Sequence, residues 1–382
     1  MMRVEVRPEL LHWAVERAGL PPGTLSRRFP QLAAWERGAS RPTLKQLEGF
    51  AKATYTPIGY LFLTEPPVDE VPIPDFRTAA SAARRARPSA DLLETIYICQ
   101  QRQEWYHDFA RAAGEEPLSF VGSARISDAV KETAGTIRTT LGFDDEQRRS
   151  APTWTDALRL FIQHADDAGV LVMCSGVVLN NNRRHLDPDE FRGFAIADDL
   201  APVVFINGAD TKSAQMFTLA HELAHLWLGA TGLSDAQARV EPDQGIERWC
   251  NRVAAELLVP LESFRAVYDS EAELYNEMGR LARHFKVSTL VILRRMHDAG
   301  GLTREQLWAA YDEEVERLKA IARPSGGNFY LTQAARVSKR FARALVISTL
   351  EGQTLYRDAF RMLGLSKMET FQQLGQNLGI VL

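Results

Sequence analysis

A polar stripe on an otherwise apolar helix constrains the fold of this chain more than any other feature of its sequence. Residues 216–225 read MFTLAHELAH, with apolar residues at the spacing expected of a buried helix. A second stripe recurs at positions i, i+3, i+4 and i+7 and consists of Thr218, His221, Glu222 and His225. Because uncompensated burial of polar groups is costly, this stripe needs buried partners, and a metal ion is one such partner.

The spacing of His221 and His225 indicates a metal site. Residues four apart lie one turn apart on the same helix face, so both imidazoles can reach one ion. Glu222 stands beside them, where it can take a proton from a metal-bound water. The alternative is a pair of histidines on the apolar face of a buried helix, but an entirely polar stripe argues against it. The pattern therefore favours a hydrolytic metal site.

Composition excludes several other classes. The net charge of −4 creates no attraction of the whole chain to nucleic acid or to a membrane surface. No apolar run is long enough to span a bilayer, and the first residues carry no apolar signal segment. The 3 cysteines are widely spaced and odd in number, which suits a reducing compartment. We therefore expect a cytoplasmic protein without membrane contact.

Hydrophobic periodicity divides the chain into regions. A chain of 382 residues predicts two or three domains. Residues 1–64 have the pattern of a small helical bundle, and residues 65–90 form a linker that is rich in proline and then basic. Residues 91–300 contain the histidine motif, and residues 301–382 are helical with no indication of chemistry.

In the region that contains the motif, the spacing of apolar residues changes from that of helices to that of short strands and back. Short strands are predicted at 170–174, 191–197 and 202–207, before the motif helix at 211–228 and a second helix at 246–258. The expected fold class is therefore mostly α with a small β-sheet, an α+β arrangement.

A catalytic zinc typically has three protein ligands and one water, so a third ligand is required. The carboxylates downstream of the motif are Asp235, Glu241, Asp243, Glu247 and Glu256. Carboxylates in a polar loop are usually solvated. Glu247 differs, because it begins an apolar helix and has Asn251 one turn later on the same face. Two antiparallel helices, each with an inward polar stripe, can enclose one metal.

The two stretches TLAHELAH at 218–225 and ERWCNRVAAELLVP at 247–260 resemble the ImmA/IrrE family of metallo-endopeptidases. The resemblance implies a zincin-like metallopeptidase core at 155–265 within the 91–300 domain, with one zinc ion per chain. It implies that His221, His225 and Glu247 are the ligands and that Glu222 is the catalytic base. Asn251 and Glu256 are candidates for orienting the ligands, and a purely structural role for either stays open. Cys250 is interpreted as a small buried residue rather than a ligand.

The implied mechanism is metal-assisted peptide hydrolysis. Zinc lowers the pKa of its bound water and polarises the scissile carbonyl. Glu222 accepts the proton of that water and passes it to the leaving amine. The strands before the motif helix could bind an extended peptide by edge pairing. No oxyanion stabiliser is identifiable in the sequence.

The N-terminal bundle resembles a helix-turn-helix of the phage-repressor (XRE) type, through segments that include AWERG at 34–38. The resemblance makes five residues candidates for DNA contact, namely Arg27, Arg28, Gln31, Arg37 and Arg41. Phe29 and Trp35 are only six positions apart, whereas the usual pattern places about ten residues there. The shortening removes residues that would contact bases, so DNA binding and a role in protein docking or homo-oligomer formation both stay open. Residues 279–299 form a second segment like a helix-turn-helix, with a helical pair completing the core as the alternative.

Two functions are therefore considered. The first is a cytoplasmic zinc endopeptidase that selectively cleaves a regulatory protein, such as a transcriptional repressor or a genetically linked toxin or regulator. The second is a DNA-binding regulator or antitoxin-like component of a toxin–antitoxin or mobile-element system, whose zinc domain docks or senses. The intact Glu222 favours the first function.

Overall fold

The computed structural model describes residues 3–21, 23–76, 87–143, 145–234, 245–320 and 335–380. The chain divides into two compact units. The first unit comprises Met1–Pro72 and Arg85–Ile96, and the second comprises Ile73–Arg84 and Tyr97–Leu382.

The first unit contains a small helical bundle. Its first helix begins at Pro8, whose fixed φ suits the first helical position, and ends at Gly19, which has a φ of 56°. Thr43 caps the fourth helix through a capping box with Gln46. The elements are α1 (Pro8–Ala18), α2 (Thr24–Arg28), α3 (Leu32–Glu36), α4 (Leu44–Ala53) and a 3-10 helix, Ile58–Phe62.

Aromatic packing holds this bundle together. The ring of Phe29 lies 6.1 Å from that of Trp35 and 5.8 Å from that of Phe50, between ring centroids. Helices α2 and α3 have only 5 residues each, in agreement with the short spacing between Phe29 and Trp35. The resemblance to a helix-turn-helix stays a prediction.

The second unit is built around one mixed sheet of four strands. The strands are β1 (Leu171–Ser175), β2 (Gly193–Ile196), β3 (Val203–Asn207) and β4 (Gly232–Ser234), in the order β1-β3-β2-β4. Strand β1 is parallel to β3, whereas β2 is antiparallel to both β3 and β4. The strands are buried along almost their whole length, which explains why they are continuous apolar runs in the sequence.

A short extended segment continues the sheet beyond β4. In residues 73–76, Asp75 pairs in parallel with Leu233. The Phe76 amide donates to the Leu233 carbonyl at 2.9 Å, and the Leu233 amide donates to the Pro74 carbonyl at 2.9 Å. Sequence analysis placed these residues in the linker at 65–90, because the stretch is rich in proline.

The motif helix α9 (Lys212–Leu228) lies against the sheet. Thr211 caps its start by accepting from the Ala214 amide, and Gly229, with a φ of 66°, ends it. A Cβ at Gly193 would lie 2.5 Å from Thr218 Cγ2, so a glycine is needed where β2 approaches this helix. The second motif helix, α10 (Gly245–Leu258), packs beside α9 in one apolar core.

The remaining helices lie before and after these elements in the chain. Among the described residues, four further helices lie between the 3-10 helix and β1, and the first of them contributes to both units: α5 (Ala90–Ala113), α6 (Val130–Leu141), α7 (Asp145–Ser150) and α8 (Trp154–Asp167). Seven follow α10 among the described residues: α11 (Leu261–Arg265), α12 (Leu274–Phe285), α13 (Thr289–Asp298), α14 (Arg304–Ala320), α15 (Lys339–Leu350), α16 (Tyr356–Leu363) and α17 (Met368–Asn377).

The segment predicted at 279–299 corresponds to the end of α12 and the whole of α13. Leu281 and Phe285 of α12, with Ile292 of α13, belong to the same apolar core as α9 and α10. This packing supports the alternative of a helical pair that completes the core.

The predicted fold class is confirmed, since the chain is mostly helical with one small mixed sheet. The domain boundaries after residues 64, 90 and 300 stay predictions. Most of the predicted basic stretch of the linker, and residues 235–244, lie outside the described residues. In the described part of the chain, no helix combines the length and the apolar character that crossing a membrane requires.

Candidate metal centre

Helices α9 and α10 bring three potential ligand atoms together. The Nε2 atoms of His221 and His225 lie 3.0 Å apart. Glu247 Oε2 lies 3.2 Å from His221 Nε2, and Glu247 Oε1 lies 2.9 Å from His225 Nε2. All three side chains are buried, and they form the one group of metal-capable side chains found among the described residues.

This group fits a zinc ion. Tetrahedral ligands at about 2.0–2.1 Å from zinc lie about 3.3 Å from one another, close to the separations observed. Two imidazole nitrogens and one carboxylate oxygen are a ligand set that catalytic zinc sites use. Two buried Nε2 atoms that face each other also need a shared partner, because at most one of them can donate to the other.

Asn251 determines which nitrogen of His221 is free to bind a metal. His221 Nδ1 lies 3.0 Å from Asn251 Oδ1. An amide oxygen only accepts, so Nδ1 carries the proton and the lone pair of Nε2 faces Glu247 and His225. This hydrogen bond supports the predicted role of Asn251 in orienting a ligand.

Glu256 contacts a different part of the molecule. Its Oε2 accepts from Arg295 Nη2 of α13 at 2.8 Å, and its carboxylate also accepts from the Leu261 amide. Within the described residues, no hydrogen bond joins Glu256 to the three metal-capable side chains. The predicted orienting role of Glu256 therefore has no contact to support it, and the structural alternative is favoured.

The carboxyl of Glu222 is fully buried next to the ligand group. Its Oε2 accepts from Ser234 Oγ at 3.5 Å, and its Oε1 has no hydrogen-bond partner within the described part of the chain. Burial, reinforced by the negative charge of Glu247, raises the pKa of Glu222 to about 8. A carboxyl with a pKa near neutral is well matched to accepting and returning a proton.

The three candidate ligand residues have different electrostatic states. Burial favours the neutral form of Glu247, but the two histidines outweigh it and lower the pKa of Glu247 to about 2. Burial lowers the pKa of His225. Burial acts in the same direction on His221, but attraction to Glu247 dominates and raises the pKa of His221. Glu247 is therefore the anionic member of the group.

Sequence reasoning gave no role at this centre to two residues that touch it. Ser234 Oγ lies 3.4 Å from His225 Nε2. The ring of Phe76 stacks on the His225 imidazole, with centroids 5.7 Å apart and planes 8° apart. Both residues lie in the two paired segments, Ser234 in β4 and Phe76 in residues 73–76. These segments are too short to produce a periodic pattern in the sequence.

The other candidate ligands are not part of this group. Cys250 is fully buried, and burial raises the pKa of its thiol well above the usual value, in keeping with its interpretation as a small packed residue. Asp235, Glu241 and Asp243 lie outside the described residues.

The five candidate DNA contacts lie on the surface of the first unit. Arg41 forms an exposed ion pair with Glu5 at 3.3 Å, and the Arg28 guanidinium lies over the Phe29 ring. Arg27, Gln31 and Arg37 are also exposed, so contact with DNA stays a prediction for the whole group.

Comparison with known proteins supports the interpretation of the second unit. Residues 165–297 match a family model described as the IrrE N-terminal-like domain (Peptidase_M78), and all three ligand residues and Glu222 lie within this range. Residues 337–377 match a domain of unknown function (DUF8813). No curated protein matches the chain. The match supports a peptidase of the ImmA/IrrE family, while the N-terminal bundle lies outside it.

Proposed function

We propose that the chain is a zinc-dependent endopeptidase that makes a selective cut in a regulatory protein. The observation that carries this proposal is the convergence of His221, His225 and Glu247 to within 3.2 Å of one another. A buried Glu222 carboxyl, with one oxygen that has no hydrogen-bond partner among the described residues, stands beside them. The match of residues 165–297 to a peptidase family adds independent support.

The chain's own residues divide the chemistry between them. His221, His225 and Glu247 would hold the zinc ion, which when bound supplies a Lewis acid and an acidified water. Glu222 accepts the proton of the attacking water at Oε1 and delivers it to the leaving amine.

Two further residues position this machinery. Asn251 holds the His221 ring so that Nε2 faces the other ligands. Ser234 donates to Glu222 Oε2 and leaves Oε1 without a hydrogen-bond partner among the described residues. Neither residue transfers a proton in this proposal, so both are positioning residues.

The selectivity of the cut is inferred from the arrangement of the chain. A bundle resembling a regulatory helix-turn-helix precedes the peptidase domain, which favours a repressor or a genetically linked toxin or regulator as the substrate. DNA binding by that bundle is the alternative role, and the exposure of Arg27, Arg28 and Arg37 is compatible with it.

The test uses the purified full chain. We expect one zinc ion per chain by elemental mass spectrometry and one new N-terminus in a protein encoded beside this chain. Glu222→Gln should abolish the cut and keep the zinc. The matched control is Glu262→Gln, because Glu262 is an exposed glutamate that pairs with Lys131 on the surface.

Two outcomes would contradict the proposal. A Glu222→Gln variant that still cuts would remove the assigned base. Zinc far below one ion per chain, after purification without chelators, would remove the ligand assignment.

A further inference from the structure

The edge of the sheet nearest the candidate metal centre is already covered by the chain itself. Strand β4 pairs with β2 on one side and with residues 73–76 on the other. The opposite edge of the sheet is β1, which lies beyond β3 and β2. An extended peptide that reaches the metal centre by adding a strand to the sheet would therefore use the β4 edge.

The β4 edge leads directly into the catalytic group. Its last residue, Ser234, lies 3.4 Å from His225 Nε2 and 3.5 Å from Glu222 Oε2, measured from Oγ. The residue before it, Leu233, forms both backbone hydrogen bonds with the 73–76 segment. The backbone groups that would hold a substrate next to the catalytic carboxyl are therefore in use.

Phe76 occupies a recess formed by the absence of a side chain at Gly232. A Cβ at Gly232 would lie 2.2 Å from Phe76 Cε2 and 2.3 Å from Phe76 Cδ2. From this recess the ring stacks on His225 with planes only 8° apart. The recess and the imidazole face together accept one flat aromatic side chain.

The end of the segment is held by contacts that a substrate could replace. Two backbone hydrogen bonds and one ring stack join its last three residues to β4 and His225. Each such bond contributes about 0.5–1.5 kcal/mol, and an aromatic stack contributes a similar amount. The side chains of Pro74 and Asp75 are exposed, whereas Ile73 is buried and fixes the start of the segment.

We propose that residues 73–76 are an intramolecular competitor that occupies the substrate-binding edge, with Phe76 in the position of a substrate's aromatic side chain. This inference rests on the proposed peptidase function and adds its regulation and a specificity element. A substrate must displace the segment, and an extended stretch with an aromatic residue at the Gly232 recess does so best.

The test measures binding rather than cleavage. The probe is a fluorescent synthetic peptide with the chain's own residues 71–76, VPIPDF, and the control peptide is VPIPDA. All proteins are zinc-loaded full chains that carry Glu222→Gln, so that no peptide is consumed. Removing the ring stack through Phe76→Ala should tighten VPIPDF binding about three- to tenfold and leave VPIPDA weak. The control variant Phe62→Ala removes a half-exposed phenylalanine of the first unit and should change nothing.

A second variant and a second readout separate displacement from general loosening. Gly232→Ala places a methyl group in the recess, so it should release the segment without improving VPIPDF binding. In both variants, hydrogen exchange at the Phe76 and Leu233 amides should accelerate, because these are the two donors of the pairing. Unchanged peptide affinity in Phe76→Ala, or unchanged exchange at both amides, would overturn the inference.

The result is independent of whether the chain cuts peptides. Tighter VPIPDF binding with no cleavage of any neighbouring protein by the wild-type chain would contradict the proposed function and leave the intramolecular competitor supported. Cleavage by the wild-type chain, with no effect of Phe76→Ala on peptide affinity or hydrogen exchange, would support the proposed function and contradict the intramolecular competitor.

Discussion

His221 Nδ1 and Asn251 Oδ1 lie 3.0 Å apart, so a residue of one motif helix sets the tautomer of a candidate metal ligand on the other. We expect Asn251→Ala to weaken zinc binding by about 10- to 100-fold, the usual effect of losing a partner that orients a ligand. Competition with a fluorescent chelator measures it. The control is Asn276→Ala, at an exposed position in the first turn of α12. Equal zinc affinity in the two variants would show that Asn251 does not orient His221.

Substitution of Glu256 should lower the free energy of unfolding and leave zinc affinity unchanged. Its carboxylate pairs with buried Arg295, whose pKa is lowered by burial although Glu256 and Asp298 oppose the shift. Glu256→Gln removes one of the two carboxylates that pair with the buried guanidinium, Asp298 being the other, so it should cost at most about 3 kcal/mol of unfolding free energy. Urea unfolding should show this loss while chelator competition shows unchanged zinc affinity. A large loss of zinc affinity would restore Glu256 to the ligand-orienting role considered from the sequence.

A methyl group at Gly193 should disturb the carboxyl of Glu222, the proposed catalytic base. It would lie 2.5 Å from Thr218 Cγ2, 2.8 Å from the Phe205 carbonyl oxygen and 3.0 Å from Glu222 Oε1. We expect Gly193→Ala to lower the unfolding free energy by about 2 kcal/mol, since overpacking costs about 1–3 kcal/mol, and to reduce cleavage. The matched control is Gly135→Ala in α6, where a Cβ meets nothing within 4 Å and helix propensity improves. Equal stability of the two variants would contradict the close approach of β2 to α9.

Asp198 should make stability depend on pH. Burial raises the pKa of its carboxyl, but hydrogen bonds from His107 and from the amides of Ala201 and Leu200 outweigh burial and lower it. A carboxyl with a lowered folded pKa contributes stability above its unfolded pKa of about 3.9. That contribution is lost as the pH falls through the lower folded value.

We therefore expect Asp198→Asn to cost about 1.5 kcal/mol of unfolding free energy at pH 7 and much less in acid. Urea unfolding at several pH values measures the difference. Asp108→Asn is the control, because Asp108 is a largely exposed aspartate on the same long helix as His107. A difference between wild type and Asp198→Asn that stays constant down to acid pH would refute the assignment.

Local patterns in the sequence predicted most of the elements near the site. The strand predicted at 202–207 is observed as Val203–Asn207, and the motif helix predicted at 211–228 is observed as Lys212–Leu228. These predictions succeed because period, caps and a terminal glycine are properties of neighbouring residues. Strand β4 has only 3 residues, too few to show a period, and was not predicted.

The group of candidate ligands was also proposed from the sequence, with help from a family resemblance, and the structure brings its three members together. His221, His225 and Glu247 each belong to a polar stripe on an apolar helix. Such a stripe can be recognised in the sequence because the other residues of a buried helix are apolar. The role of Glu256 was less accessible, because a carboxylate that faces inward has the same pattern whether its partner is a metal ligand or Arg295.

By itself, the sequence determined which helices carry polar inward faces, because the spacing of residues along a helix defines which side chains share a face. Only the tertiary structure decided what each of those faces meets. It placed Asn251 on His221, Arg295 on Glu256 and Phe76 on His225, three contacts between segments far apart in the chain. Such contacts depend on how strands and helices pack in space, and the spacing of residues along the chain does not encode them.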